Sequence, residues 1–194
     1  MKLKTLLLAI TLFLSFNTNS QNTGVEKSIW GIQTGFLGIW INNELKLSES
    51  IALRSEIGLD LDVFDTDFGD SKNYFSAPVI TIEPRWYYNF NKRVKKGKRT
   101  DGNSANFIAL KTSYHPDWFV ISQYENFSII SDLSIVPTWG IRRNIGKHFG
   151  YETGIGLGYR YTFYSNYTNY SKNVGELWFN LHLRIGYNYF SKKK

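Results

Sequence analysis

Cysteine is absent from the chain. That excludes a disulfide framework, a thiolate metal site, a thiol nucleophile and anchoring through a lipidated cysteine. Methionine occurs once and proline four times. The three histidines, His115, His148 and His182, stand far apart with no partner at ligand spacing, so no metal is expected. No phosphate loop or dinucleotide fingerprint is present, so no cofactor is expected either. Beyond the first twenty residues no stretch is long and apolar enough for a membrane helix. A mature chain that crosses a membrane must therefore do so as closed strands.

Aromatic residues are plentiful, at 17% of the 194 residues, with 14 Phe and 13 Tyr. Such residues favour strands and settle at membrane–water boundaries. The first residues read as a targeting segment. Lys2 and Lys4 form a positive start, residues 6–16 are almost unbroken apolar, and Thr18, Asn19 and Ser20 precede Gln21 as the first mature residue. Residues 1–20 are thus expected to be a cleaved signal peptide, with a buried helix as the plainer alternative, and residues 21–194 to be one domain. Removing Lys2 and Lys4 lowers the formal charge from +7 to +5.

The basic excess is local: Lys92, Arg93, Lys95, Lys96, Lys98 and Arg99 form one run, and Lys192, Lys193 and Lys194 another. Such a run suits nucleic acid or anionic lipid, but is more often a solvated turn. A secreted chain rarely meets nucleic acid, and no such partner is expected.

From residue 28 onward the apolar period is two. Residues 51–63 set Ile51, Leu53, Ile57, Leu59, Leu61 and Val63 against Ala52, Arg54, Glu56, Gly58, Asp60 and Asp62. Residues 78–90 set Ile80, Ile82, Pro84, Trp86, Tyr88 and Phe90 against Val79, Thr81, Glu83, Arg85, Tyr87 and Asn89. Residues 107–114, 129–141, 149–163 and 177–189 repeat the alternation. This predicts strands throughout and no helix after the leader. Short connections at 43–49 and 144–148 alternate with longer ones at 65–75, 116–126 and 165–174, as in an outer-membrane barrel. The basic connection at 92–104 is the exception, a long link at the short-turn end.

Alternation does not say which face is inside. A soluble ligand-binding barrel hides the apolar face, and a membrane barrel shows it. The terminal aromatics of the apolar faces, the charges of both signs on the opposite faces and the leader favour the membrane. Glycines 154, 156 and 158 on the polar face are expected to leave space for long Arg and Lys side chains. Six strands are clear, and residues 28–42 make a seventh, but single-chain bacterial barrels have even numbers. The apolar phase changes around Thr34–Phe36, which allows a turn that splits this segment in two. A strand within 118–123 is the other candidate. Eight strands are expected.

The stretches "ALRSEIGL", "EPRWYYNF", "GIRRNIGKHFGYETGIGLGYRY" and "NLHLRIGYNYF" resemble the small, eight-stranded outer-membrane β-barrel families of Gram-negative bacteria over most of residues 28–190. The resemblance implies an all-β, antiparallel up-and-down transmembrane barrel in the cell outer membrane, in contact with outer-membrane lipid. It also implies a terminal strand whose final Phe is recognised by the barrel-assembly machinery, here Phe190. The chain is expected to be a monomer.

Arg54, Glu56, Asp60, Glu83, Arg85, Lys111, Asp132, Glu152, Arg160, His182 and Arg184 would then converge in a lumen. Buried charges must pair or cost several kcal/mol each, roughly. A salt-bridge plug or a narrow passive pore are the two outcomes, and eight strands leave an interior just filled by side chains, which favours the plug. A lipid or ester hydrolase needs a nucleophile with His and carboxylate in reach. His115 with Ser113 and Asp117 is the only local cluster of the right types, and no catalytic residue is assigned. Aromatics of the longer connections, Tyr74, Phe75, Trp118, Phe119, Tyr124, Tyr164, Tyr167 and Tyr170, suit glycan or protein contact, or an outer girdle.

Overall fold

The computed structural model describes residues 24–65, 72–123, 127–164 and 172–190; residues 1–20, expected to be a signal peptide, with Lys2 and Lys4, lie outside them. The chain forms strands β1 (Ser28–Gly35), β2 (Gly38–Lys46), β3 (Ile51–Asp65), β4 (Lys72–Trp86), β5 (Asn106–His115), β6 (Ile121–Ser122), β7 (Asp132–Ile145), β8 (Phe149–Thr162) and β9 (Val174–Phe190). All but β6 make the wall. Each pairs antiparallel with its neighbour in sequence, and β1 pairs β9 from Ile29↔Phe190 to Gly35↔Arg184, which closes an eight-stranded barrel. The two-residue β6 pairs with β4 at Phe75 and Ser76, too briefly for residues 118–123 to supply a wall strand.

The eighth strand comes from the phase change near residue 35. Gly35 pairs with Gly38 around a two-residue turn, Phe36–Leu37. Gly38 has φ +146°, a conformation side chains rarely adopt. The turn puts Trp30 and Ile32 of β1 and Ile39 and Ile41 of β2 on the same outer face although their numbers differ in parity. This first hairpin is short. β1 reaches only to Arg184 of β9 and β2 only to Asp60 of β3. Above it, β9 continues from Leu183 to Val174 with only β8 beside it among the described residues.

Both ends of the barrel chain, Ser28 and Phe190, lie at one end, called lower here, with the turns at 47–50 and 146–148. The third connection at this end, between β4 and β5, departs from the alternation. β4 stops at Trp86, and Phe90–Lys95 forms a short helix, α1, followed by a 3-10 turn at Asp101–Asn103. Phe90, expected outside with Trp86 and Tyr88, is instead 3% exposed and packs with Val25, Ala52, Tyr87, Ala105, Phe107 and Ala109. The reason is chain reversal: once the helix begins, period two no longer assigns the face. This cluster closes the lower mouth with an apolar stopper.

Outside, the wall is apolar. Ile32, Ile39, Ile41, Ile57, Ile82, Leu110, Ile135, Ile155 and Leu181 form a mid-height aliphatic band. Below it stand Trp30, Trp86, Tyr88, Phe149, Tyr187 and Tyr189, and above it Tyr74, Tyr114, Tyr159 and Tyr161.

Candidate functional site

The inner face carries the charge. Residues that alternate with the apolar ones point inward, so the even residues 52–56 of β3, the odd residues 79–85 of β4, Arg142 of β7, Glu152 of β8 and Arg184 of β9 meet on the axis. Eight ionic side chains there are at most 5% exposed: Glu44, Glu56, Glu83 and Glu152, with Arg54, Arg85, Arg142 and Arg184. Four carboxylates face four guanidinium groups, so the plug is formally neutral. An isolated buried ion is prohibitively costly, whereas a paired and hydrogen-bonded one is tolerated.

Glu152 is the hub. Arg85 donates from Nη1 and Nη2 to its two oxygens at 2.8 and 2.7 Å, the two-pronged geometry that makes Arg–carboxylate pairs strong. Arg142, Arg54 and His182 stand 3.9, 4.0 and 3.5 Å away. Arg85 also donates to Glu83 at 2.8 Å. On one side, Arg54 donates to Glu56 (2.6 Å), Gln33 (2.7 Å) and Asn42 (3.2 Å), and Arg184 donates to both oxygens of Glu56 at 2.9 Å. On the other, Glu44 accepts from Arg142 (2.6 Å), the Tyr87 hydroxyl (2.7 Å) and Asn103 Nδ2 (2.5 Å). Asn103 belongs to the 3-10 turn, so the lower stopper is tied to the plug.

Three inner glycines make room for rings. A Cβ on Gly140 would sit 2.3 Å from the Phe107 ring, one on Gly58 2.4 Å from Trp40, and one on Gly154 2.5 Å from His182. The guanidinium of Arg85 lies over Phe107 at 4.3 Å and that of Arg184 over Trp40 at 3.8 Å. The space expected for Arg and Lys chains at Gly154 thus serves His182, and the arginines rest on the rings.

Of the residues expected in the lumen, Arg54, Glu56, Glu83, Arg85, Glu152 and Arg184 lie in the buried plug. Asp60, Lys111, Asp132 and His182 form a partly exposed layer above it. There His115 sits between two carboxylates, Nδ1 at 3.0 Å from Asp132 and Nε2 at 3.2 Å from Asp60. Lys111 reaches Asn180 at 3.5 Å. Arg160 does not join them: it pairs at the upper rim with Glu176, which is 48% exposed, and stacks on Trp178. Phe190 ends β9 opposite Ile29, and its side chain falls outside the described residues.

The cluster of His115, Ser113 and Asp117 is not assembled. Ser113 bonds Thr81 at 2.8 Å, Asp117 is exposed, and both His115 nitrogens face carboxylates rather than a hydroxyl. No group of three metal-ligating side chains occurs among the described residues. Of the loop aromatics, Trp118 and Phe119 are exposed and Phe75 packs on Phe127 at 5.0 Å; Tyr124, Tyr167 and Tyr170 lie outside the described residues.

Sequence reasoning missed Glu44, Arg142 and Tyr87 as plug members. Glu44 and Arg142 lie where turns or strand ends are predicted, yet β2 runs to Lys46 and β7 to Ile145. Glu44 lies two residues beyond Asn42, and Arg142 two beyond Gly140, so continuing the alternation by one step would have found both. No family model, curated protein or solved structure matches the chain.

Proposed function

We propose that the chain is a small outer-membrane β-barrel protein with a structural or binding role, its lumen closed by the ion-pair plug. The observation that carries this reading is the inversion of the usual globular order: greasy side chains outside, eight balanced charges inside. From Trp86 up to Tyr74 the outer face of β4 rises roughly 30 Å, at about 3.3 Å per residue and a tilt of about 40°. That approximates the apolar height of a bilayer, with aromatic belts at both margins. In water such a surface would drive aggregation; in lipid it is the ordinary exterior of a barrel.

The resemblance noted above points the same way. In this reading residues 1–20 are removed on export, the barrel-assembly machinery recognises the strand ending at Phe190, and the barrel is a monomer. The test is heat modifiability with conductance. The detergent-refolded mature chain should migrate faster unboiled than boiled and should leave a planar bilayer electrically silent. A single band at one position sinks the membrane reading, and steady channels sink the plug in favour of a narrow pore.

A further inference from the structure

The segment beneath the barrel carries a charge excess that the lumen does not. Between Tyr87 and Ala105 the chain holds Lys92, Arg93, Lys95, Lys96, Lys98 and Arg99 and a single carboxylate, Asp101. That carboxylate is taken: Arg99 Nε and Nη2 grip its two oxygens at 2.5 and 2.6 Å. Lys92, Lys95, Lys96 and Lys98 have no ionic partner among the described residues. Arg93 is held in place by donating to the Arg99 carbonyl at 2.9 Å. Lys92, Arg93, Lys96 and Lys98 surround an open pocket of about 350 Å³ whose other walls are Tyr88, Asn89 and Asn106. Among the described residues no acidic side chain lines it. Arg143, on the outer face of β7, bonds Asn106 at 2.6 Å and adds another cation beside it.

Like charges gathered this closely repel one another, and here six of them share one short connection. The pocket's place is also telling. The Tyr88 hydroxyl accepts the Trp139 indole N–H at 2.9 Å, and the Tyr88 ring meets Trp86 at 6.1 Å. Tyr88 is thus both a wall of the pocket and part of the lower aromatic belt. In a bilayer such a belt marks the headgroup level, which sets the cations on its polar side, where phosphate groups would lie. Lysines, an arginine and asparagine amides together present N–H donors and positive charge, the chemistry that phosphate accepts.

The geometry points to a binding site for the phosphate of an anionic phospholipid headgroup in the leaflet at the barrel's lower end, its acyl chains lying along the apolar strip of Trp86 and Ile108. This rests on the barrel being embedded in lipid. The probe is phosphatidylglycerol. The full mature chain is folded into vesicles of equal phosphatidylglycerol and phosphatidylcholine, extracted gently, and its retained lipids are counted by native mass spectrometry. The wild-type protein should enrich phosphatidylglycerol roughly tenfold, a preference that weakens with salt. Lys92→Gln/Lys96→Gln/Lys98→Gln, which leaves Arg93 to brace the loop, should bring retention close to the supplied ratio while keeping heat modifiability. Retention in the supplied ratio by the wild type overturns the site, as does an undiminished preference in the triple variant. Binding of inorganic phosphate alone, equally lost in the variant but without lipid enrichment, assigns the pocket to a soluble phosphate and overturns the lipid source. A chain that never shows heat-modifiable migration fails the membrane reading itself, a result separable from all of these.

Discussion

Glu152 is fully buried, makes two close bonds to Arg85, and has Arg54, Arg142 and His182 within 4.0 Å. Arg85, Arg142 and Arg54 keep Glu83, Glu44 and Glu56, but removing Glu152 leaves four guanidinium groups to three carboxylates in a site closed to water. Glu152→Ala should therefore destabilise the folded barrel by about 3–5 kcal/mol, the range for breaking a buried pair from one side, read from urea unfolding in detergent. Arg160→Ala, at the exposed rim pair with Glu176, should cost no more than about 1 kcal/mol. Equal costs for the two would mean that the plug is not where the interior charge is balanced. Gly140 tests the packing around the same ions. Its Cβ would strike Phe107, on which Arg85 rests, so Gly140→Ala should cost about 1–3 kcal/mol as an overpacked site.

Among the elements, the first hairpin is the one that departs most from a usual turn. Its tip is Phe36–Leu37, with Phe36 91% exposed, where Asn-Gly or Asp-Gly is the usual chemistry. The tip ends beside Arg184, with ten further residues of β9 rising above it, so it stands about half way up the wall rather than at a watery mouth. In the proposed setting Phe36→Arg puts a charge deep in the apolar band and should cost about 2–4 kcal/mol of folding stability in vesicles. A change near zero would place the tip in water.

The lower connection is a pH-sensitive element. The hydrogen bond from Arg99, and its charge, hold the Asp101 carboxyl below its usual range. The clamp is complete above the ordinary carboxylate pKa and is lost as pH falls through the lowered value. Protection of the Ser104 amide, bonded to the Asp101 and Thr100 carbonyls, should fall in that acid window and should lack that step in Asp101→Asn. What could be read of the elements from sequence follows from the same physics. Period two exposes a strand wherever one face is apolar, which found β3, β5, β8 and β9. It fails where the chain turns, because the face is then set by tertiary packing: Phe90 went inward, and the split at Phe36–Leu37 showed only as a phase change.

For the molecule as a whole, the direction of the pleat was the open question in the sequence, since alternation is symmetric between an apolar and a charged interior. Packing settles it through Arg54, Glu83 and Arg184, each within 5% exposure. Six of the eleven expected lumen residues belong to the buried plug. Arg160 strayed because it lies near the upper end of its strand, level with Glu176. Glu44 and Arg142 escaped because loop boundaries are the least certain part of any pattern.

The low first hairpin gives the molecule a seam. Among the described residues Val174–Leu183 pairs on one side only, with β8, and at its foot Arg184 clasps Glu56 across the interior. Thermal breathing should begin at this free margin and unzip downward until it meets that clasp, like a cut in cloth stopped by a rivet. Amide exchange along β9 should be fast from 174 to 183 and drop sharply at 184. Arg184→Ala should let the fast region run on toward Tyr189.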